Sequence, residues 1–155
     1  IHPRFGSWFY LATLITDASL APDVPIPERC GTCTACMQAC PTGAIVADRE
    51  VDARRCIAYH TIENRGEIPQ DIAANLHGWV FGCDLCQEVC PWNRRQALET
   101  AAPKEGSETF PLLDAEALAA LSEEEFRERY AGTPIIRAKH GGITRNARLN
   151  RMNRE

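Results

Sequence analysis

At 155 residues the chain has room for one domain, or for one domain with a small appendage. Its 45% hydrophobic content is that of an ordinary globular protein, and no apolar run approaches the ~18 residues of a membrane span. A formal charge of −4 gives no global attraction for nucleic acid, but the charge is uneven: Glu99 to Arg129 is rich in acids, Arg137 to Arg154 in bases.

The opening "IHPRFGSWFYLATLITD" has no basic segment followed by a purely apolar one, so no signal peptide is expected, and the non-Met start predicts a stretch of something longer. Ser7 is placed to cap a helix over Trp8 to Ser19, whose stripe of Trp8, Leu11, Leu14, Ile15 and Ala18 would be apolar. Trp8 and Phe9 are expected in a core. Pro22, Pro25 and Pro27 then impose an extended connector. Cys30 to Cys40 reads as a loop entering a short helical turn that Pro41 ends, and "AIVADREVD" as two short extended pieces around a turn. Asp52 should cap a helix carrying Cys56, and Pro69 suits the first turn of another that stops near Gly78. "APKEGSETFP" is a polar linker. Asp114 opens a short helix, Ser122 to Glu125 is a capping box for the next, which closes near Gly132, and Ile143 to Met152 predicts a basic helix.

All eight cysteines lie between positions 30 and 90. Cys30, Cys33, Cys36 and Cys40-Pro41 form C-x2-C-x2-C-x3-C-P, the spacing of a bacterial [4Fe–4S] site. Three thiolates two residues apart on a curled loop can each reach a different iron of one cubane, while the fourth points to a neighbouring cluster. The second run, Cys83, Cys86 and Cys90-Pro91, lacks the first thiol of the triplet, since Val80 stands there. Cys56 is the one thiol left to replace it. The crossing rule then assigns Cys30, Cys33, Cys36 and Cys90 to one cluster, and Cys40, Cys56, Cys83 and Cys86 to the other. Zinc prefers two separated ligand pairs, and a disulfide framework needs a secreted setting, so both fit the spacing poorly. The fold class that follows is mostly α, with a loop-rich bacterial dicluster ferredoxin-like (α+β) iron–sulfur core and a short helical C-terminal segment. His60 and His77 read as packing residues, because eight thiols already suffice. Trp79, Phe81 and Trp92 are expected to shield the clusters from water.

Five blocks carry a resemblance: "FGSWFYLATLITD", "CGTCTACMQACPTGAI", "RRCIAYHTIENRGEIP", "GWVFGCDLCQEVCPWN" and "GTPIIRAKHGGITRNA". In order and spacing they are similar to the epoxyqueuosine reductase family, and "CIAYHTIENRGEIP" is the most specific of them. The final "RLNRMNRE" departs from that pattern. The resemblance implies that residues 1–24 end a cobalamin-binding domain, 25–96 form the dicluster domain and 97–155 a helical segment with a basic tail. It implies an oxidoreductase that reduces the epoxide of epoxyqueuosine in tRNA to queuosine, with two [4Fe–4S] clusters feeding electrons to cobalamin. The family's acid is expected upstream of this stretch, so no catalytic residue is assigned, and the stretch alone is expected to be inactive.

The same resemblance puts Asp84 beside cobalamin, although an aspartate there also suits the start of a helical turn. Ala58 stands where the family usually has a serine near cobalamin, which leaves only a backbone contact. Arg65 falls where the family meets tRNA, against the plainer reading of a lone exposed arginine, and the charge of the basic tail, with Arg137, Lys139 and Arg145, suits tRNA phosphate contacts, against that of a solvated basic helix. The implied partners are epoxyqueuosine-bearing tRNA and an external electron donor of the ferredoxin or flavodoxin kind. A monomer in the cytoplasm, away from membranes, is expected. The alternatives are a ferredoxin-like electron carrier and the iron–sulfur part of a reductive dehalogenase-like cobalamin enzyme.

Overall fold

A computed structural model describes residues 1–2, 5–93 and 114–153. The linker expected at 102–111 lies outside these residues. The order is α1 (Ala35–Ala39), β1 (Ile45–Ala47), β2 (Glu50–Val51), a 3-10 turn (Ala53–Arg55), α2 (Ile57–Ile62), α3 (Gln70–Ala73), α4 (Leu85–Glu88) and a 3-10 turn (Pro91–Asn93). Then follow α5 (Ala115–Ala120), α6 (Glu123–Tyr130), a 3-10 turn (Pro134–Ala138) and α7 (Lys139–Met152). None of the helices among the described residues is long and apolar enough to cross a membrane.

The helix expected over Trp8 to Ser19 does not form; residues 8–34 have no regular secondary structure. The physical reason is the absence of a surface for its stripe. A helix of that length draws its stability from burying one face, yet Leu11, Leu14 and Ile15 are 89%, 88% and 93% exposed. Trp8 and Phe9 are exposed as well, not core. Ser7 caps nothing. Its N–H donates to Asn93 Oδ1 (2.7 Å), and its hydroxyl accepts from Asn93 Nδ2 (2.7 Å) and meets Gln87 Oε1. Gly6 must approach Asn93 this closely: its φ is +59°, and a Cβ there would lie 2.1 Å from Asn93 Oδ1.

Elsewhere local chemistry accounts for the elements. The two extended pieces pair antiparallel, Ile45 opposite Val51, with an irregularity before Ala47. Asp52 caps the 3-10 turn rather than a helix containing Cys56, and Cys56 becomes the N-cap of α2. Asp114 caps α5 through the Glu116 N–H. Ser122 and Glu125 complete the capping box of α6. The basic helix begins at Lys139 and runs through Gly141 and Gly142.

Two apolar cores result. One joins α5, α6 and α7 through Leu118, Phe126, Tyr130 and Ile143, with Val80 at its edge. The other lies under α2 and α3 and contains Ile57, Ile72 and Leu76, with Trp79, Cys83 and Leu149 packed against it. Helix α7 therefore contributes to both.

Candidate metal centre

Every thiol of the run is free, and Cys33 alone among the eight is exposed. Cys30 and Cys33 sit on the loop before α1, Cys36 inside it and Cys40 at its C-cap. Cys86 occupies the same place in α4 as Cys36 does in α1, and α1 packs on α4. Cys83 precedes α4 and Cys90 follows it.

The thiols divide into two electrostatic neighbourhoods. Burial raises Cys30 first, then Asp48, then the charges of Cys36, Cys33 and Cys90. Burial likewise raises Cys83, which feels Cys56 and Cys40 and, beside them, Asp84. Cys86 is pushed up to about 11 by burial, with further repulsion from Cys83, Cys56 and, across the α1–α4 contact, Cys36. Cys40 runs the other way. Burial would raise it, but hydrogen bonds from the Thr42 hydroxyl (3.6 Å) and from the N–H groups of Ala44 (3.2 Å), Thr42 and Ile45 outweigh burial and lower it. That is the environment of a sulfur that carries negative charge.

A half-open cavity of about 530 Å³ lies between α1, the hairpin and α4, lined by Cys30, Cys33, Cys36, Cys86, Cys90 and Trp92 among others. No three His, Cys, Asp or Glu side chains among the described residues converge tightly enough to share one ion. A zinc thiolate site needs sulfurs roughly 3.8 Å apart, from ~2.3 Å bonds in a tetrahedron. Thiols spread around a void suit a polynuclear group instead, so the donor set fits iron–sulfur clusters.

Around the sulfurs, Trp92 donates its indole N–H to the Arg29 carbonyl (2.9 Å), and the Arg29 guanidinium lies 5.7 Å from the ring centroid. Trp79, like Cys83, packs against the core under α2 and α3, whereas Phe81 packs against the helical core. His60 is buried, its Nδ1 facing Asn64 Nδ2 (3.0 Å) and its Nε2 the Arg54 carbonyl (2.7 Å), which selects the Nε2–H tautomer. His77 is exposed, with φ +48°.

Asp84 is exposed at the N-cap of α4 and makes no side-chain cap bond. Ala58 is half-buried in the first turn of α2. The four cations differ among themselves. Arg65 donates to the carbonyls of Ile62 (2.8 Å), Ala138 (3.1 Å) and Arg137 (2.7 Å). Arg145 donates to those of His60 (2.7 Å), Asn64 (2.9 Å) and Gly66, and burial followed by Arg65 lowers its pKa. Arg137 pairs with Glu63 on the surface, and Lys139 is exposed with φ +64°. The patch thus holds three exposed cations, of which Arg65 is tied to carbonyls, and the half-buried Arg145.

Sequence reasoning missed two buried amides and a third at the helix end. Asn146 donates to the carbonyls of Thr61 (2.9 Å) and Val80 (2.8 Å), Asn150 to that of Trp79 (2.9 Å) and Asn153, the exposed C-cap of α7, to that of Ala73. The four-residue spacing of Asn146 and Asn150 on one face of α7 was the available signal.

Residues 29–93 match the family described as "4Fe-4S double cluster binding domain". An epoxyqueuosine reductase from Synechocystis sp. is 46% identical over 94% of this chain and 51% of its own length. One from Gloeobacter violaceus is 45% identical over 94% and 47%. In fold, the epoxyqueuosine reductase of Bacillus subtilis superposes with a TM-score of 0.75 at 34% identity, covering 86% of this chain and 36% of that one. An epoxyqueuosine reductase solved with an epoxyqueuosine-modified tRNA-Tyr stem loop gives 0.73 at 33% identity over 86% and 35%. In sequence and fold together, the chain is similar to epoxyqueuosine reductases, and it spans about half the length of the curated relatives it matches.

Proposed function

We propose that this chain is the electron-transfer part of an epoxyqueuosine reductase. Two [4Fe–4S] clusters are held in crossed sets, Cys30, Cys33, Cys36 and Cys90 in one, Cys40, Cys56, Cys83 and Cys86 in the other. The observation that carries the reading is the likeness of residues 29–93, which hold all eight thiols, to a 4Fe-4S double cluster binding domain. The domains are 1–24, 25–96 and 97–155, the middle one ferredoxin-like.

Electrons enter where Cys33 reaches the surface, from a ferredoxin- or flavodoxin-like donor, and leave from the Cys83–Cys86 side toward Asp84 and Ala58. Asp84 and Ala58 would lie beside cobalamin, which when bound would supply the cobalt chemistry for turning the epoxide of epoxyqueuosine in tRNA into the alkene of queuosine, a net uptake of two electrons and two protons with loss of water. The chain's own part is to hold the clusters, to bury their sulfurs with Trp92, and to stabilise charge on Cys40 through its N–H bonds. Arg137 and Lys139 meet tRNA phosphate, with Arg65 and Arg145 behind them. The protein works as a monomer in a reducing, cytoplasmic setting.

A graft tests this reading. The chain replaces the matching half of the Synechocystis relative in cells lacking their own reductase, and tRNA nucleosides are analysed by mass spectrometry. Queuosine should return, and Cys83→Ala should abolish it while the chain alone leaves epoxyqueuosine unchanged. A graft that carries its clusters yet makes no queuosine contradicts the proposal.

A further inference from the structure

The second thiol set is assembled from separate pieces of chain. Cys56 starts α2, and Cys83 follows a loop more than twenty residues later. Thr61 stands between them. It lies one turn along α2, where the His60 N–H bonds the Cys56 carbonyl (3.1 Å), and it is 1% exposed. Its hydroxyl donates to the Ile57 carbonyl (2.8 Å), with the Ala58 and Gly82 carbonyls each at 3.3 Å as alternatives. The same oxygen accepts from the Gly82 N–H (3.1 Å). Gly82 is the residue before Cys83 and holds φ +75°, a conformation that glycine adopts without steric cost.

From behind, Asn146 ties the two pieces once more. It is fully buried, and its two amide protons go to the Thr61 and Val80 carbonyls. Thr61 therefore ties the carbonyl of Ile57, the residue after Cys56, to Gly82, the residue before Cys83, and α7 braces the tie. A valine at 61 would fill the same space but strip Gly82 of its acceptor.

We propose that Thr61, braced by Asn146, is a positioning residue that fixes Cys56 against Cys83 and thereby completes the second cluster site. This rests on the reading that Cys40, Cys56, Cys83 and Cys86 share one [4Fe–4S] cluster. The groups involved are uncharged, so the effect is geometric.

The test uses the full chain, reconstituted anaerobically, with Thr61→Val, Thr61→Ser and Cys56→Ala beside the parent. Iron loss to a chelator is followed together with EPR of the reduced form. Thr61→Val should lose its second cluster about tenfold faster, as expected when a buried bond to the backbone is removed, with an altered signal for that cluster and the first unchanged. Thr61→Ser should restore the parent rate. If Thr61→Val loses iron at the parent rate while Cys56→Ala forfeits one cluster, the positioning role is overturned and the ligand assignment stands. If Cys56→Ala keeps both clusters, the ligand assignment falls and the proposal with it. Should Thr61→Val load no iron at all, Thr61→Ala, which crowds nothing, decides by the same two readouts.

Discussion

Cys40 and Cys86 share a chemistry and have opposite surroundings. Hydrogen bonds prepare Cys40 to be a thiolate, whereas burial and neighbouring thiols hold Cys86 as a thiol up to about 11, against an ordinary 9.0. The folded iron-free chain thus keeps a proton that the unfolded chain gives up first. That stabilisation is complete below pH 9.0 and drains away as pH rises toward about 11. The urea midpoint of the iron-free chain should fall across that window, and Cys86→Ala should flatten the decline; a midpoint that rises there contradicts the assignment. The thiols themselves were legible from spacing alone. Their environments were not, because Thr42 and Ala44 meet the Cys40 sulfur only in the turn that follows α1, and Cys36 nears Cys86 only once α1 and α4 pack together.

At the level of elements, α7 (Lys139–Met152) is the piece whose role changed most. As a sequence it reads as a solvated basic helix, yet Arg145, Asn146 and Asn150 all donate to carbonyls beside the cysteine-bearing segments. Removing Asn146 leaves two buried carbonyls without a donor. Asn146→Ala should therefore cost about 2–3 kcal/mol in denaturant unfolding. Arg148→Ala, exposed on the same helix, should stay within about 0.5 kcal/mol. Equal costs at the two positions would contradict this view of α7. The caps at Asp114 and Ser122 and the hairpin at 45–51 were readable because their signals are local. The stripe from Trp8 to Ala18 misled because periodicity promises a helix only where something covers it; here Tyr10 is 99% exposed.

For the whole molecule, the basic segment follows the cysteine-bearing one along the chain. Arg137 and Lys139 are surface cations, whereas Arg65 and Arg145 are bound to carbonyls. Replacing both Arg137 and Lys139 by Ala should weaken binding of a tRNA stem loop and lower the log–log salt slope by about 0.7–0.9 for each phosphate no longer neutralised. A slope that does not move contradicts a phosphate role for them. Arg145→Ala should instead show itself first as reduced stability, since three carbonyls lose their donor. The most direct test of two clusters on eight thiols is simpler than either. The chain is reconstituted with iron and sulfide without oxygen, its iron is counted, and the reduced form is examined by EPR. Two [4Fe–4S] clusters require about eight irons and the spectrum of two interacting cubanes. About four irons, or the signal of a single isolated cubane, would contradict the crossed eight-thiol assignment.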